Sequence, residues 1–195
     1  MHRRSFLVGL GATLAGLPQM ALALTENSAR SLINSLVGDI NKVIDSGKSE
    51  KAMIKDFERI FDRYGDTSYI AAYAMGADAR RASKAQKKAF SKAFQGYMSR
   101  KYGRRFREFI GGELEVTEVK KVKKWFEVSA IARLQNQAPF DVTFLVSNRS
   151  GKDLFFNMFI EGVNVLLAER DEINALLDRR KGDIDKMIQD LNKLG

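Results

Sequence analysis

Cysteine is absent from the 195-residue chain, and the single histidine is His2. The fold therefore contains no disulfide, and no thiol is available as a nucleophile. After position 2 the chain also lacks the imidazole that most often serves as a general base or a metal ligand. The absence of cysteine also excludes a lipid anchor of the lipoprotein type, which is attached to a cysteine at the signal-peptide cleavage site.

Sequence motifs of several catalytic sites are missing as well. The chain has no Ser-x-x-Lys, no Gly-x-Ser-x-Gly and no Walker phosphate-binding loop. Carboxylates remain, on a solvated strand face or near predicted helix starts, where the helix dipole favours acids. They are Glu113 with Glu115, Glu169 with Asp171 and Glu172, and Asp183 with Asp185. We therefore predict a protein that is not an enzyme and has no cofactor or metal site, with a carboxylate-dependent hydrolase as the alternative.

The N-terminus has the features of an export signal. Arg3 and Arg4 precede Ser-Phe-Leu, as in a twin-arginine signal, and the uncharged run that follows is interrupted by glycines and Pro18. This run is too short for a membrane span, which needs about 20 apolar residues. Ala21-Leu22-Ala23 offers a small-x-small cleavage site. We predict a signal peptide of the twin-arginine type over residues 1–23, one domain over residues 24–195, no remaining membrane anchor and a periplasmic location.

Apolar residues spaced three and four apart predict the helices. Glycines at or just after the ends of the stripes and the N-caps Ser49 and Asp66 set the expected boundaries, and Ser83 starts the longest stretch. The predicted helical stretches are Ala29–Ile44, Met53–Tyr64, Thr67–Met75, Ser83–Tyr102, Leu166–Asp178 and Asp183–Leu194.

Alternating apolar residues after Gly111-Gly112 predict four strands. They lie around Leu114 and Val116, and over Trp125–Leu134, Phe140–Ser147 and Lys152–Val165. Short turns between successive strands favour antiparallel pairing. The predicted fold class is α+β, with a four-stranded antiparallel sheet faced by a bundle of helices.

One face of this sheet is strongly apolar. Alternation puts Phe126, Val128, Ala130, Ala132 and Leu134 on one side of the second strand, Phe140, Val142, Phe144 and Val146 on one side of the third, and Phe156, Met158 and Ile160 on one side of the fourth. Helices rich in Phe, Tyr and Met would cover this face. The space between them is either a filled core or an apolar ligand cavity, and composition alone favours the filled core.

Positive charge is grouped along the chain, which has a formal net charge of +9. The groups lie within residues 80–88, 100–107, 120–124 and 179–181. Each is either a solvated basic surface or a docking site for anionic headgroups or an acidic protein partner. Nucleic acid is not the expected partner, because the leader directs the chain out of the cytoplasm.

Several stretches resemble the toluene-tolerance family, to which the MlaC proteins belong. They are Tyr69–Gly76, Ser83–Phe94 with its Ala-Phe-x-x-Ala-Phe pattern, Tyr97–Tyr102, Asp153–Leu166 followed by Arg170, and Gly182–Ile188. The resemblance covers nearly all of residues 24–195. Departures from the family pattern occur in the fourth strand and after it, where Asp153 or Leu154 stands near a usual tryptophan, Asn157 replaces a usual aspartate, and Asn164 replaces a usual serine.

The resemblance implies a periplasmic phospholipid shuttle that maintains membrane lipid asymmetry. One phospholipid would lie with its acyl chains in an apolar lipid cavity between sheet and helices, and its headgroup near the solvent. The implied protein partners are an outer-membrane lipoprotein complex and an inner-membrane ABC transporter complex. The alternatives are a hopanoid-type lipid as cargo, or a non-lipid adaptor with a filled core and a basic docking face.

Candidate site residues follow from this resemblance together with the strand faces. The predicted lipid-binding residues are Tyr73, Phe94, Met98, Tyr102, Val128, Phe144, Phe156, Met158 and Ile160. The tyrosine hydroxyls are expected at the mouth of the cavity. Arg100, Arg104 and Arg105 are predicted to meet the lipid phosphate or a docking partner.

Overall fold

The computed structural model describes residues 23–104, 111–135 and 137–195. Residues 1–22 of the predicted signal peptide and Arg105 lie outside these ranges. No helix within the ranges has the length and apolarity that crossing a membrane requires.

Helices form the first half of the described chain, strands follow, and two helices end it. The elements are α1 (Glu26–Ile44), α2 (Glu50–Tyr64), α3 (Thr67–Met75), a short 3-10 helix (Gly76–Arg80), α4 (Lys84–Gly103), β1 (Glu113–Val122), β2 (Trp125–Arg133), β3 (Phe140–Ser147), β4 (Leu154–Ile160), β5 (Val163–Asn164), α5 (Val165–Arg179) and α6 (Ile184–Leu191). The predicted bounds of α3 and β3 match those of the structure.

Side-chain caps fix several helix starts. The Ser83 hydroxyl accepts from the Gln86 amide at 3.1 Å, and the Gln86 side chain accepts from the Ser83 amide at 3.0 Å. Asp66 accepts from the Tyr69 amide at 3.1 Å and so starts α3. Ser49 is the N-cap residue of α2, as predicted, although its side chain makes no cap hydrogen bond.

The sheet is an antiparallel meander with the strand order β1-β2-β3-β4-β5. The α+β class is therefore confirmed, with one strand more than predicted. The chain reverses after Ile160 through Glu161 and Gly162, whose φ angles of 49° and 77° suit a two-residue turn in which both central residues are left-handed. Val163 then pairs with Ile160. The predicted continuation of the fourth strand to Val165 is wrong for this reason.

The helices differ in how they meet the sheet. Helix α1 packs on β1, β2 and β3, and helices α3 and α5 pack on β4. Helix α4 instead packs its backbone on α2, α3 and α6, in a layer behind. Its large side chains reach the main hydrophobic core, which sheet residues such as Val128 and Phe144 share. The core between α4 and the sheet is thus bridged by side chains rather than by close backbone packing.

Candidate functional site

Eight of the nine predicted lipid-binding residues share one hydrophobic cluster, which we call the apolar interior. Strand register explains the sheet side: Phe144 lies between Val128 of β2 and Met158 of β4, and Ile160 pairs with Val142 on the same face. The members are Tyr73, Phe94, Met98, Tyr102, Val128, Phe144, Met158 and Ile160. The predicted faces of β2 and β3 are therefore confirmed.

One wall of the apolar interior comes from α4. Phe94 is 1% exposed, stacks on Phe90 with ring centroids 5.5 Å apart, and lies 6.0 Å from the Tyr97 ring. Met98 follows one helical turn later and is also buried. Aromatic rings and an unbranched thioether fill the gap between α4 and the sheet, and methionine readily adopts other rotamers. This wall has the composition of an adaptable acyl-chain lining.

Phe156 is not part of the apolar interior, and its predicted place beside Met158 is wrong. Leu145 pairs with Asn157 but Val146 pairs with Phe155, so a bulge at Phe156 reverses the alternation. Phe155 consequently points inward, where its ring meets that of Phe144 at 6.1 Å.

Phe156 instead joins a small aromatic cluster around Arg149. Its ring lies 5.5 Å from the Tyr69 ring and 6.3 Å from the Trp125 ring, edge-on in both cases. The Arg149 guanidinium carbon lies 4.1 Å from the centroid of Tyr69 and 4.3 Å from that of Phe156. Arg149 is thereby held against two π faces, an arrangement that the sequence did not suggest.

A buried ionic network joins α4 to α5 next to the apolar interior. Glu169 is 1% exposed and accepts from Tyr102 at 2.6 Å and from Lys101 at 2.8 Å. Lys101 also donates to Glu172 at 2.6 Å and to the Tyr97 hydroxyl at 2.9 Å. We call these five residues the Glu169 network. The Tyr102 hydroxyl is thus committed to Glu169 instead of standing free at a cavity mouth.

Electrostatics fix the protonation states in this network. Burial and the neighbouring Glu169 raise the pKa of both Tyr97 and Tyr102, so their hydroxyls stay neutral. Burial opposes the charge of Lys101, but its bonds to Glu169 and Glu172 outweigh burial and raise the pKa of Lys101. The bond from Lys101 lowers the pKa of Glu172. Lys101 is therefore a cation over the whole physiological pH range.

We expect the Lys101–Glu172 pair to contribute to stability only above acidic pH. The pKa of Glu172 is depressed on folding from its ordinary 4.5, so its contribution is complete above that value and is lost as pH falls through the folded pKa. Replacing Glu172 with Gln should lower the unfolding free energy by up to about 1 kcal/mol at neutral pH, because the pair is half exposed.

Urea unfolding of the wild type and E172Q at neutral pH and near pH 3 would check this expectation. The difference between the two proteins should shrink in acid. A difference of equal size at both pH values would contradict the assignment.

The predicted phosphate-binding arginines have separate roles in the described chain. Arg100 donates from Nε to the Leu194 carbonyl at 2.7 Å and from a terminal nitrogen to the Leu191 carbonyl at 2.6 Å, so it caps the end of α6. Arg104 faces Glu50 at 3.6 Å on the surface. Arg105 lies outside the described residues. The structure does not gather Arg100 and Arg104 into one anion site.

An apolar edge lies where β4, β5 and α5 meet. Val163 is 60% exposed and Leu167 is 44% exposed, next to Ile160 of the apolar interior. The adjoining corner is held by Asn157, which donates to Asn164 at 3.0 Å and accepts from the Leu166 amide at 3.2 Å. Two of the residues that depart from the family pattern, Asn157 and Asn164, thus contact each other at the start of α5. Sequence reasoning missed this edge because the short β5 was not predicted.

Near the same corner, Tyr73 meets Arg170. The Arg170 guanidinium lies 5.3 Å from the Tyr73 ring centroid. It also sits beside Gly76, whose φ of 60° and close approach leave no room for a side chain: a Cβ there would be 3.1 Å from Arg170 Nε. The contact therefore fixes α3 against α5 and places one cation beside the apolar interior.

Two grooves on the helical surface lie away from the predicted lining. One, of about 390 Å³, lies between α1 and α2 and is lined by Asp39, Lys42, Asp56 and Arg59, among others. The other, of about 570 Å³, runs along the start of α1 past Tyr64 and Asp153. Both are open to solvent. Within the described ranges, no group of three or more His, Asp or Glu side chains is arranged to hold a metal ion.

Comparison with known proteins gave a family match and a structural match. A model of the family described as "MlaC protein" matches residues 31–193. Among solved structures, a phospholipid-binding protein from Ralstonia solanacearum, determined in complex with a phospholipid, is similar at a TM-score of 0.73 and 14% sequence identity, covering 85% of this chain and 95% of that one. No curated protein matches the chain. At this identity the structural likeness concerns the fold.

Proposed function

Because the chain belongs to the MlaC family, we propose that it is a phospholipid-binding carrier that works in the periplasm. The family match over residues 31–193 supports this, as does the phospholipid complex of the Ralstonia protein of the same fold. We further propose that it exchanges lipid with an inner-membrane ABC transporter complex and an outer-membrane lipoprotein complex, the partners that the sequence resemblance implies.

The observation that carries the proposal is the layer of side chains between α4 and the sheet. Phe94 and Met98 of α4 belong to the same hydrophobic cluster as the strand residues Phe144 and Met158, while the helices whose backbones pack most closely on the sheet are α1, α3 and α5. Acyl chains bind here by taking over these side-chain contacts while methionine and aromatic rotamers adjust. The backbone layers then need to separate only modestly.

The proposed lining keeps most of the predicted residues. It consists of Tyr73, Phe94, Met98, Val128, Phe144, Met158 and Ile160, with the Tyr102 ring beside them and Phe156 removed. The apolar edge of Ile160, Val163 and Leu167 is the proposed access point, because there the interior reaches the surface. Each buried CH₂ contributes about 0.8 kcal/mol, so two acyl chains would not cross water unshielded at a useful rate.

Native mass spectrometry of the protein purified from the periplasm, followed by organic extraction, tests the proposed function. We expect an added mass that is released as intact phospholipid. Release of a hopanoid-type lipid would keep the carrier function and change the cargo. A protein that stays free of lipid after mixing with phospholipid vesicles would contradict the proposal and support the adaptor alternative.

A further inference from the structure

The two turns at one end of the sheet bring together a strongly basic part of the described surface. In the antiparallel meander, the β1–β2 and β3–β4 turns leave the same end, because Phe126, Val146 and Phe155 pair in one row just inside it. Segments 119–125 and 147–153 contain six cationic residues and one acidic residue, Asp153. We call the six the basic end: Lys120, Lys121, Lys123, Lys124, Arg149 and Lys152.

The cations of the basic end are available to a partner. All six are exposed. Within the part of the chain that the structure describes, none of them forms an ion pair, whereas Arg63, Lys101 and Arg180 do. Six positive charges that form no ion pair with the described residues create a field that attracts an anionic partner.

Arg149 is the fixed member of this group. The rings of Tyr69 and Phe156 hold its guanidinium at 4.1 Å and 4.3 Å, and its Nε donates to the Ser147 hydroxyl at 3.1 Å. Stacking uses the face of the guanidinium and leaves its terminal N–H groups for an outside acceptor. Such a preorganised fork suits the two oxygens of a phosphate.

We propose that the basic end is a docking surface for a bilayer that contains anionic phospholipid. Flexible lysines act as point charges that suit mobile, closely spaced phosphates better than the fixed carboxylates of one protein. Trp125 and Tyr69 lie beside them, and these amphipathic aromatics favour the membrane–water interface. The combination of unpaired lysines, a stacked arginine and interfacial aromatics fits a lipid surface.

Docking at the basic end is separate from the proposed cargo site. Strand β4 runs from Leu154 at the basic end to Ile160 at the apolar edge, a length of about 20 Å. The apolar edge therefore faces away from the bilayer in the docked state. Docking tethers the carrier to the membrane and leaves the access point open to a protein partner.

Co-sedimentation with vesicles tests the proposal, and the chain offers a matched control. The first variant replaces Lys120, Lys121 and Lys124 with Gln. The control variant replaces Lys84, Lys87 and Lys88 with Gln, and these three lysines are also exposed but lie on α4. The probe is a vesicle of equal parts phosphatidylglycerol and phosphatidylcholine, and pure phosphatidylcholine is the neutral reference. We expect at least about a tenfold loss of binding for the first variant only. Binding should also weaken at high salt.

Trp125 is the single tryptophan of the chain and supplies a second readout. We expect its emission to shift to shorter wavelength and to be protected from acrylamide on anionic vesicles. R149K, which keeps the charge but loses the planar fork, should bind more weakly than the wild type. Three outcomes would overturn the proposal: equal losses of binding in both triple variants, an unshifted Trp125 emission, or no binding to anionic vesicles. The last outcome would favour an acidic protein as the partner of the basic end.

Native mass spectrometry of the same variants separates this inference from the proposed function. The Lys120, Lys121 and Lys124 variant should retain its phospholipid. A wild-type protein that binds vesicles but carries no lipid would overturn the carrier function and leave the docking surface standing.

Discussion

Replacing Met158 with Asp is expected to reduce phospholipid bound to the purified protein at least about a hundredfold. Met158 faces the apolar interior opposite Phe144 in the strand register. A carboxylate there would have to lose its hydration beside an acyl chain, and an unpaired charge in apolar surroundings costs several kcal/mol. Since Met158 is only partly buried, the unbound protein can keep the new carboxylate near water and still fold.

Phe159→Asp is the matched control for this change. Phe159 is the next residue of β4 and pairs with Thr143, so its side chain points to the other face of the sheet and outside the apolar interior. Native mass spectrometry should find phospholipid in F159D and in the volume-conserving M158L, but not in M158D. Circular dichroism should show that all three are folded. Wild-type lipid occupancy in folded M158D would remove Met158 from the proposed lining.

Replacing Glu169 with Ala is expected to lower the free energy of unfolding by about 3 kcal/mol, because breaking a buried ion pair leaves its partners uncompensated. The substitution leaves the Tyr102 hydroxyl without its acceptor and removes one of two carboxylates from Lys101. For a domain of this size the melting temperature should fall by about 6–12 °C. Helices α4 and α5 lose their main polar connection.

Glu172→Ala provides the comparison, since Glu172 meets the same lysine but its side chain is 49% exposed. Exposed pairs contribute less than about 1 kcal/mol, so E172A should melt within about 4 °C of the wild type. Thermal melts followed by circular dichroism measure both. Equal melting temperatures for E169A and E172A would show that buried Glu169 contributes no more to stability than exposed Glu172.

Local signals in the sequence were sufficient to predict much of the fold. Asp66 and the stripe after it gave the bounds of α3, and the alternation of Phe140, Val142, Phe144 and Val146 gave both the bounds and the inner face of β3. These elements follow local periodicity and capping, so neighbours in the chain determine them. The apolar interior was predictable to the same extent, because most of its members lie on helices and strands whose regular apolar periodicity marks the inner face.

Features that depend on distant pairing were not predictable. The bulge that turns Phe156 outward exists only because β3 and β4 shift register, and alternation within β4 cannot reveal it. Arg100 was expected to meet phosphate, but a helix end 91 residues away takes its guanidinium. Glu169 looked like a solvated acid near a helix start, and only tertiary packing brings Tyr102 and Lys101 to it. In each case the partner lies on another helix or strand, beyond the reach of local periodicity.

The order of strands in the sheet bears on how the protein reaches its compartment. Each strand pairs with the one made just before it, so the sheet closes only short loops and can grow hairpin by hairpin as the chain leaves the ribosome. With no cysteine in the sequence, no step of folding waits for an oxidant. A chain built in this way can complete its sheet in the reducing cytoplasm, as the predicted twin-arginine export route would require.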